Sequence, residues 1–223
     1  RDNEGGTHFA FMCGYNAQLD PRHAVYNYIT PDGDLLLEPD DRGPADNADR
    51  SGYCTISFLP DDNRGIVFSH ATGYLDDDPN HLGVGMAVDW MAGIGAFTPY
   101  YPPFWAGMEL AWPHGTIDMQ NVAHIASTEN APEEQIWQRV AYNRGTPDRF
   151  FENWGWDNQP IEVDITAVIS SVVAASPQSE RVAMAWHHNR IGQNQGWWAD
   201  YGGAYQRNND IRYIVSENGE DWD

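Results

Sequence analysis

Asp164-Ile-Thr-Ala-Val-Ile-Ser-Ser-Val-Val-Ala-Ala-Ser-Pro-Gln-Ser-Glu-Arg-Val-Ala-Met-Ala-Trp-His-His188 decides the fold class, together with Asn209-Asp-Ile-Arg-Tyr-Ile-Val-Ser-Glu-Asn-Gly-Glu-Asp-Trp222, which follows a Gly-, Asn- and Gln-rich segment. Three short apolar runs stand out in it: Val168–Ala175, Arg181–Trp186 and Asp210–Val215. Each is bounded by Pro, Ser, Asn or Gly, is rich in Val, Ile, Trp or Tyr, and lacks helical periodicity. Consecutive runs of this kind predict an antiparallel meander.

The same rhythm recurs upstream. Cys54–His70 can be laid over Gly115–Ser127 and over Ser171–His187, each reading as strand, polar turn, strand. Val25–Leu37 reads as a weaker fourth copy, with Thr30-Pro-Asp-Gly33 as its turn and Asp34–Leu37 as the returning strand. The spacing is roughly 60 residues, somewhat above that of the commonest propeller repeats. This predicts an all-β chain, a β-propeller or part of one built from antiparallel four-stranded blades. Residues 1–223 form a single propeller domain or propeller fragment of roughly four blade-like repeats. Glu38–Ser51 and Arg144–Gln159 read as loops. Thr7–Gly14 is expected to pair with Ala24–Ile29, its neighbour in sequence, rather than with Ile211–Ser216.

Ile211–Trp222 resembles a degenerate Asp-box, the hairpin motif of sialidase-like (BNR-repeat) β-propellers of secreted bacterial type. Ser216, Asn218, Gly219 and Trp222 occupy comparable places, with Asn218 standing where Asp is usual and the hairpin one residue short. In such a turn the Ser and Asn side chains bind backbone amides and the Trp packs between blades. The resemblance implies a secreted or cell-surface protein. It also implies, for an active sialidase, three Arg on a substrate carboxylate, a Tyr/Glu nucleophile pair and an Asp acid. Arg22, Arg64, Arg139, Arg144 and Arg212 are available, but no local pattern marks a triad. The expectation is therefore a binding, adhesion or assembly role, with a sialidase-like glycoside hydrolase acting on extracellular glycans as the alternative.

Charge narrows the partners. Twelve basic residues, all Arg, face 33 acidic ones, a net charge of −21. Such a chain repels nucleic acid and anionic membranes, and no apolar run approaches the ~18 residues of a spanning helix. Other protein subunits or extracellular glycans remain as partners. The opening Arg-Asp-Asn-Glu reads as a processed start, and the end at Trp222, where a fourth strand is due, reads as that of a fragment. Cys13 and Cys54 read as buried thiols or one disulfide.

Aromatic loop residues are the candidate ligand contacts: Tyr100, Tyr101, Trp105, Trp154, Trp156, Trp197 and Trp198. They can stack sugars or grip a protein, or equally fill space between blades. No cofactor is required, although Asp76-Asp77-Asp78 and Asp61-Asp62-Asn63 offer oxygens suited to Ca²⁺. His70 and His187-His188 end comparable strands without a carboxylate spaced beside them, which favours hydrogen-bonded strand ends over a catalytic role.

Overall fold

The computed structural model describes residues 1–14, 21–38, 43–72, 81–103, 108–130, 138–157, 161–166, 171–189 and 209–222, and all regular structure among them is β. Four antiparallel sheets follow one another along the chain. Sheet 1 holds β1 (Thr7–Gly14) and β2 (Arg22–Ile29). Sheet 2 holds β3 (Arg50–Phe58), β4 (Gly65–Thr72), β5 (Leu82–Asp89) and β6 (Phe97–Tyr100). Sheet 3 runs through β7 (Leu110–Ile117), β8 (Ala123–Glu129) and β9 (Gln138–Pro147). The outer edge of β9 carries β10 (Trp154–Trp156) at one end and β11 (Ile161–Thr166) at the other. Sheet 4 holds β12 (Ser171–Ala175), β13 (Val182–Asn189) and β14 (Asn209–Ser216). Strand order follows the sequence in every sheet, as the meander pattern predicts, except that β11 returns to β9 beside β10. β1 pairs with β2 from Thr7↔Ile29 to Gly14↔Arg22, the sequence-neighbour placement.

The core lies between the sheets, in three layers. Tyr26 and Tyr28 of sheet 1 meet Val67 and Ala87 of sheet 2. Phe68 and Met86 of sheet 2 meet Leu110 and Ile125 of sheet 3. Val140 and Tyr142 of sheet 3 meet Val173, Val182 and Met184 of sheet 4. Sheets 2 and 3 approach closely at Gly115, where an added Cβ would sit 2.2 Å from the Phe68 ring. Leading strands are also tied laterally: Gly115 N and Ile117 N donate to Thr55 Oγ1 and Ser57 Oγ, and Ala175 N donates to Thr116 Oγ1. Buried edge amides need such partners, because an unpaired one costs about as much as a lost hydrogen bond.

The turns after the leading strands form a linked series at one end of the sheets. Asn3 N donates to Asn63 Oδ1, Asn121 Nδ2 to Asp61 Oδ2, and Gln120 Nε2 to Glu180 Oε1. Asp61 and Asn63, proposed for Ca²⁺, are therefore occupied in this series. Sheets 1 and 3 share a buried polar unit behind their turns. His8 Nδ1 lies 2.7 Å from Tyr26 Oη and its Nε2 3.2 Å from Asp2 Oδ2. The counterparts are His124, Tyr142 and Asp118, at 2.6 and 3.1 Å, with the same sequence separations of 18 and 6 residues. Both Asp side chains also cap their turns, Asp2 accepting from Gly6 N and Asp118 from Val122 N. β1 thus takes in sheet 1 the place of β8 in sheet 3. Yet β8 is buried throughout, whereas β1, with no strand on its other edge among the described residues, is largely half-buried. On the outer face of sheet 4, Ile211 is 73% and Tyr213 74% exposed.

Several sequence expectations need correction. Val25–Leu37 is not a copy of the repeated hairpin, because its first arm is β2, the partner of β1. Asp34–Leu37 makes only an isolated bridge, Ile29↔Leu35. The actual counterpart in sheet 1 is the Asp2–Gly6 turn leading into β1. Within Glu38–Ser51, Ala45 and Ala48 are buried and β3 begins at Arg50. Arg144–Gln159 is not all loop. β9 continues to Pro147 because Gly145 lets the Trp156 ring lie on its backbone, where a Cβ would come within 2.6 Å. Cys13 and Cys54 are both free thiols.

The Tyr142 hydroxyl ties sheet 3 to sheet 4 by donating to Gly219 O at 3.0 Å, beside its contact with His124. Tyr142→Phe should lower the unfolding free energy by about 1–3 kcal/mol by stranding these buried groups. Urea denaturation of the two proteins measures it.

Candidate functional site

At the end of the sheets opposite the linked turns, a cleft of about 330 Å³ opens between sheets 1, 2 and 3. Two matched irregularities build it. Pairing of β3 with β4 slips between Gly52 and Thr55, and pairing of β7 with β8 slips between Ala111 and His114. Inside those bulges Tyr53 (φ 48°) and Trp112 (φ 51°) adopt the left-handed conformation. For residues this bulky that conformation costs on the order of 1–3 kcal/mol and clusters at functional sites. Bulges re-aim side chains, and here both rings line the cleft with His70 between them. Tyr53 stands edge-on to His70 at 4.8 Å, and Trp112 at 6.3 Å.

Arg22 and Arg50 line the same cleft. The Arg22 guanidinium lies 5.1 Å over the Tyr53 ring, and its Nη2 donates to His70 Nε2 at 3.4 Å. A guanidinium only donates, so His70 Nε2 is unprotonated and the ring proton sits on Nδ1. That nitrogen is buried and meets no acceptor among the described residues. Burial, and then the charges of Arg22 and Arg50, push the His70 pKa down to about 4. The two arginines differ from five others in their surroundings. Arg64, Arg139, Arg144, Arg181 and Arg212 each hold a carboxylate, whereas Arg22 and Arg50 have none among the described residues. Glu109, also in the cleft, is engaged: Oε1 accepts from Leu82 N and Oε2 from Asn130 Nδ2.

The residues singled out from sequence lie elsewhere. Tyr100 donates from its hydroxyl to Phe151 O at 3.0 Å, and its ring meets buried Trp154, which stacks on Trp156. All three pack against the core between sheets 2 and 3. Tyr101 covers Gly85 and hydrogen-bonds Asn47 Oδ1. Trp105, Trp197, Trp198 and Asp76, Asp77 and Asp78 lie outside the described residues. At the far turn, Asn218 Oδ1 accepts from Glu220 N and Asp221 N, and Ser216 Oγ accepts from Asn218 N. Gly219 has φ 73°, and Trp222 meets Tyr142 edge-on across the sheets at 4.8 Å. The histidines hold a correction. His188 Nδ1 lies 2.9 Å from Asp164 Oδ2, which also accepts from Trp186 Nε1 and Arg212 Nη1. That carboxylate is 24 residues away, too far for local spacing to reveal it. Sequence reasoning missed Tyr53 and Trp112. Their one signal is position, since each lies within three residues of the start of a repeated hairpin.

No protein-family model matches this chain, and no curated protein sequence matches it. Among solved structures it is similar to the Hadza microbial sialidase Hz136, with a TM-score of 0.60 at 12% identity. The match covers 99% of this chain and 44% of the other, so the chain spans less than half the length of that sialidase. At this identity the likeness is one of fold: all-β, in antiparallel sheets.

His70 should make stability depend on pH. Its folded pKa of about 4 lies below the 6.5 of a free imidazole, so the unfolded chain binds more protons between those values. Stability contributed by neutral His70 is present above about 6.5 and lost as pH falls toward 4, by up to about 3 kcal/mol. His70→Asn should lack that increment, as read from urea midpoints at pH 4.5 and 7.

Proposed function

We propose that this chain is the binding portion of an extracellular, sialidase-like β-propeller that holds a carboxylate-bearing sugar in the cleft of Arg22, Arg50, Tyr53 and Trp112. The observation that carries the reading is two guanidinium groups lining one cleft without carboxylate partners among the described residues, in a chain of net charge −21. Five other described arginines, Arg64, Arg139, Arg144, Arg181 and Arg212, are each paired with an acid. Arg22 and Arg50 line the cleft, and a ligand carboxylate would supply a counter-charge there, with bidentate geometry available to each guanidinium. The Trp112 and Tyr53 rings offer faces for a sugar ring. The similar fold belongs to a protein named as a sialidase, which makes an acidic sugar the natural ligand class. A secreted or cell-surface location suits such a ligand, and binding of this kind requires no cofactor.

Binding is favoured over hydrolysis by the state of the polar groups. Among the described residues the cleft holds two arginines rather than three, and Glu109 is committed to Leu82 and Asn130 rather than to a tyrosine. Calorimetry with sialyllactose and with lactose tests the reading. Sialyllactose should bind and lactose should not, and Arg22→Ala or Arg50→Ala should each weaken binding by about 10- to 100-fold, the loss of a charged hydrogen-bonding partner. Equal binding of both sugars would refute the proposal, and release of sialic acid from the trisaccharide would favour the hydrolase.

A further inference from the structure

A second cleft, of about 420 Å³, lies between sheets 2 and 3 on the side of the linked turns. Its rims carry two of the most exposed large rings described here, Trp90 at 65% and Phe150 at 70%. Leaving such rings in water forgoes apolar burial, yet both are held in place. Trp90 Nε1 donates to Thr98 Oγ1 at 2.7 Å, which fixes the indole. Phe150 sits in the turn between β9 and β10, where Asp148 Oδ1 accepts from Phe150 N and Glu152 N, each at 3.0 Å. Behind the rims stand Tyr100 and Phe151, with exposed Glu152 at the edge.

The molecule itself shows what these rings accept. The Arg64 guanidinium lies over the Phe151 ring at 4.6 Å, and that of Arg149 over Phe150 at 5.8 Å. Arg64 is neutralised by Asp62 at 2.7 Å, so it adds no net repulsion to an approaching cation. Around the cleft, the chain's charge of −21 raises the local concentration of cations and lowers that of anions.

We propose that this cleft is a docking site for an arginine side chain presented by a basic segment of another protein. The guanidinium would stack between Trp90 and Phe150 and pair with Glu152, extending the cation–π arrangement already present at Phe151. Arginine suits the site better than lysine because its planar head stacks on aromatic faces while still donating to a carboxylate. A second copy of this chain is disfavoured as the partner by mutual repulsion. The site lies on the opposite side of the sheets from the Arg22–Arg50 cleft and is independent of what binds there.

The test uses a short Gly/Ser peptide carrying two arginines, its citrulline counterpart of equal shape without charge, and Trp fluorescence with calorimetry as readouts. The arginine peptide should bind and shift the Trp90 emission, and the citrulline peptide should not. Trp90→Ala and Phe150→Ala should each weaken binding by about 3- to 30-fold, and Trp90→Phe should restore most of it. Glu152→Gln should weaken it less and flatten its salt dependence. All three positions are solvent-exposed, so unchanged urea midpoints will establish that the variants are folded. Binding that is indifferent to Trp90 and Phe150 would reduce the effect to bulk charge and overturn the proposal. Equal binding of the citrulline peptide, or quenching of Trp90 by a neutral oligosaccharide instead, would also overturn it.

Discussion

Stacking sheet upon sheet forces each leading strand to present backbone amides to its neighbour, and much of this structure follows from how those amides are satisfied. Thr55 and Ser57 of β3 accept from Gly115 and Ile117 of β7, and Thr116 of β7 accepts from Ala175 of β12. The hydroxyls can reach only if the backbones come close, which is why Gly115 stands where the Phe68 ring presses. Close approach at the leading strands in turn brings the turns together, and these link side chain to backbone and side chain to side chain along the series.

The buried Asp–His–Tyr units are the second consequence. Each places an imidazole between a carboxylate that caps a turn and a phenol that faces the next sheet. In sheet 2 the corresponding pair is apolar, Ile66 with Met86, both fully buried. Polar and apolar solutions therefore alternate over sheets 1 to 3. A polar unit is tolerable only because every member is bonded, since a half-satisfied buried network costs more than an apolar one. In sheet 3 the unit also docks the Ser216–Trp222 turn through Tyr142.

The candidate site depends on breaking these regularities. A regular β3 and β7 would alternate their side chains between the two faces of each sheet. The paired bulges instead turn Tyr53 and Trp112 into the space where Arg22 and Arg50 converge. Strain at both residues is supported by the strands on either side, which are fully paired beyond the slips. Little of this was legible beforehand. A bulge is a difference in count between two paired strands, and neither strand alone displays it. Arg22 and His70 could be named as chemical types, but their contact spans 48 residues. The aromatic residues favoured from sequence, Tyr100, Trp154 and Trp156, became packing between sheets because loops rich in rings and loops that bind ligands have the same composition.

The amino-acid sequence by itself determined the class, the meander order and the repeated hairpins, because alternation and turn chemistry are local and depend on residues a few positions apart. It also carried the Ser216–Trp222 turn, whose side chains bond their own backbone. Tertiary structure alone decided which sheet faces meet, that Val25–Leu37 belongs to a different hairpin from the repeated one, that Asp164 partners His188, and that Arg22 and Arg50 line one cleft with His70. Those facts concern distances between residues tens of positions apart. Such distances are fixed by how whole sheets pack, and no local spacing encodes them.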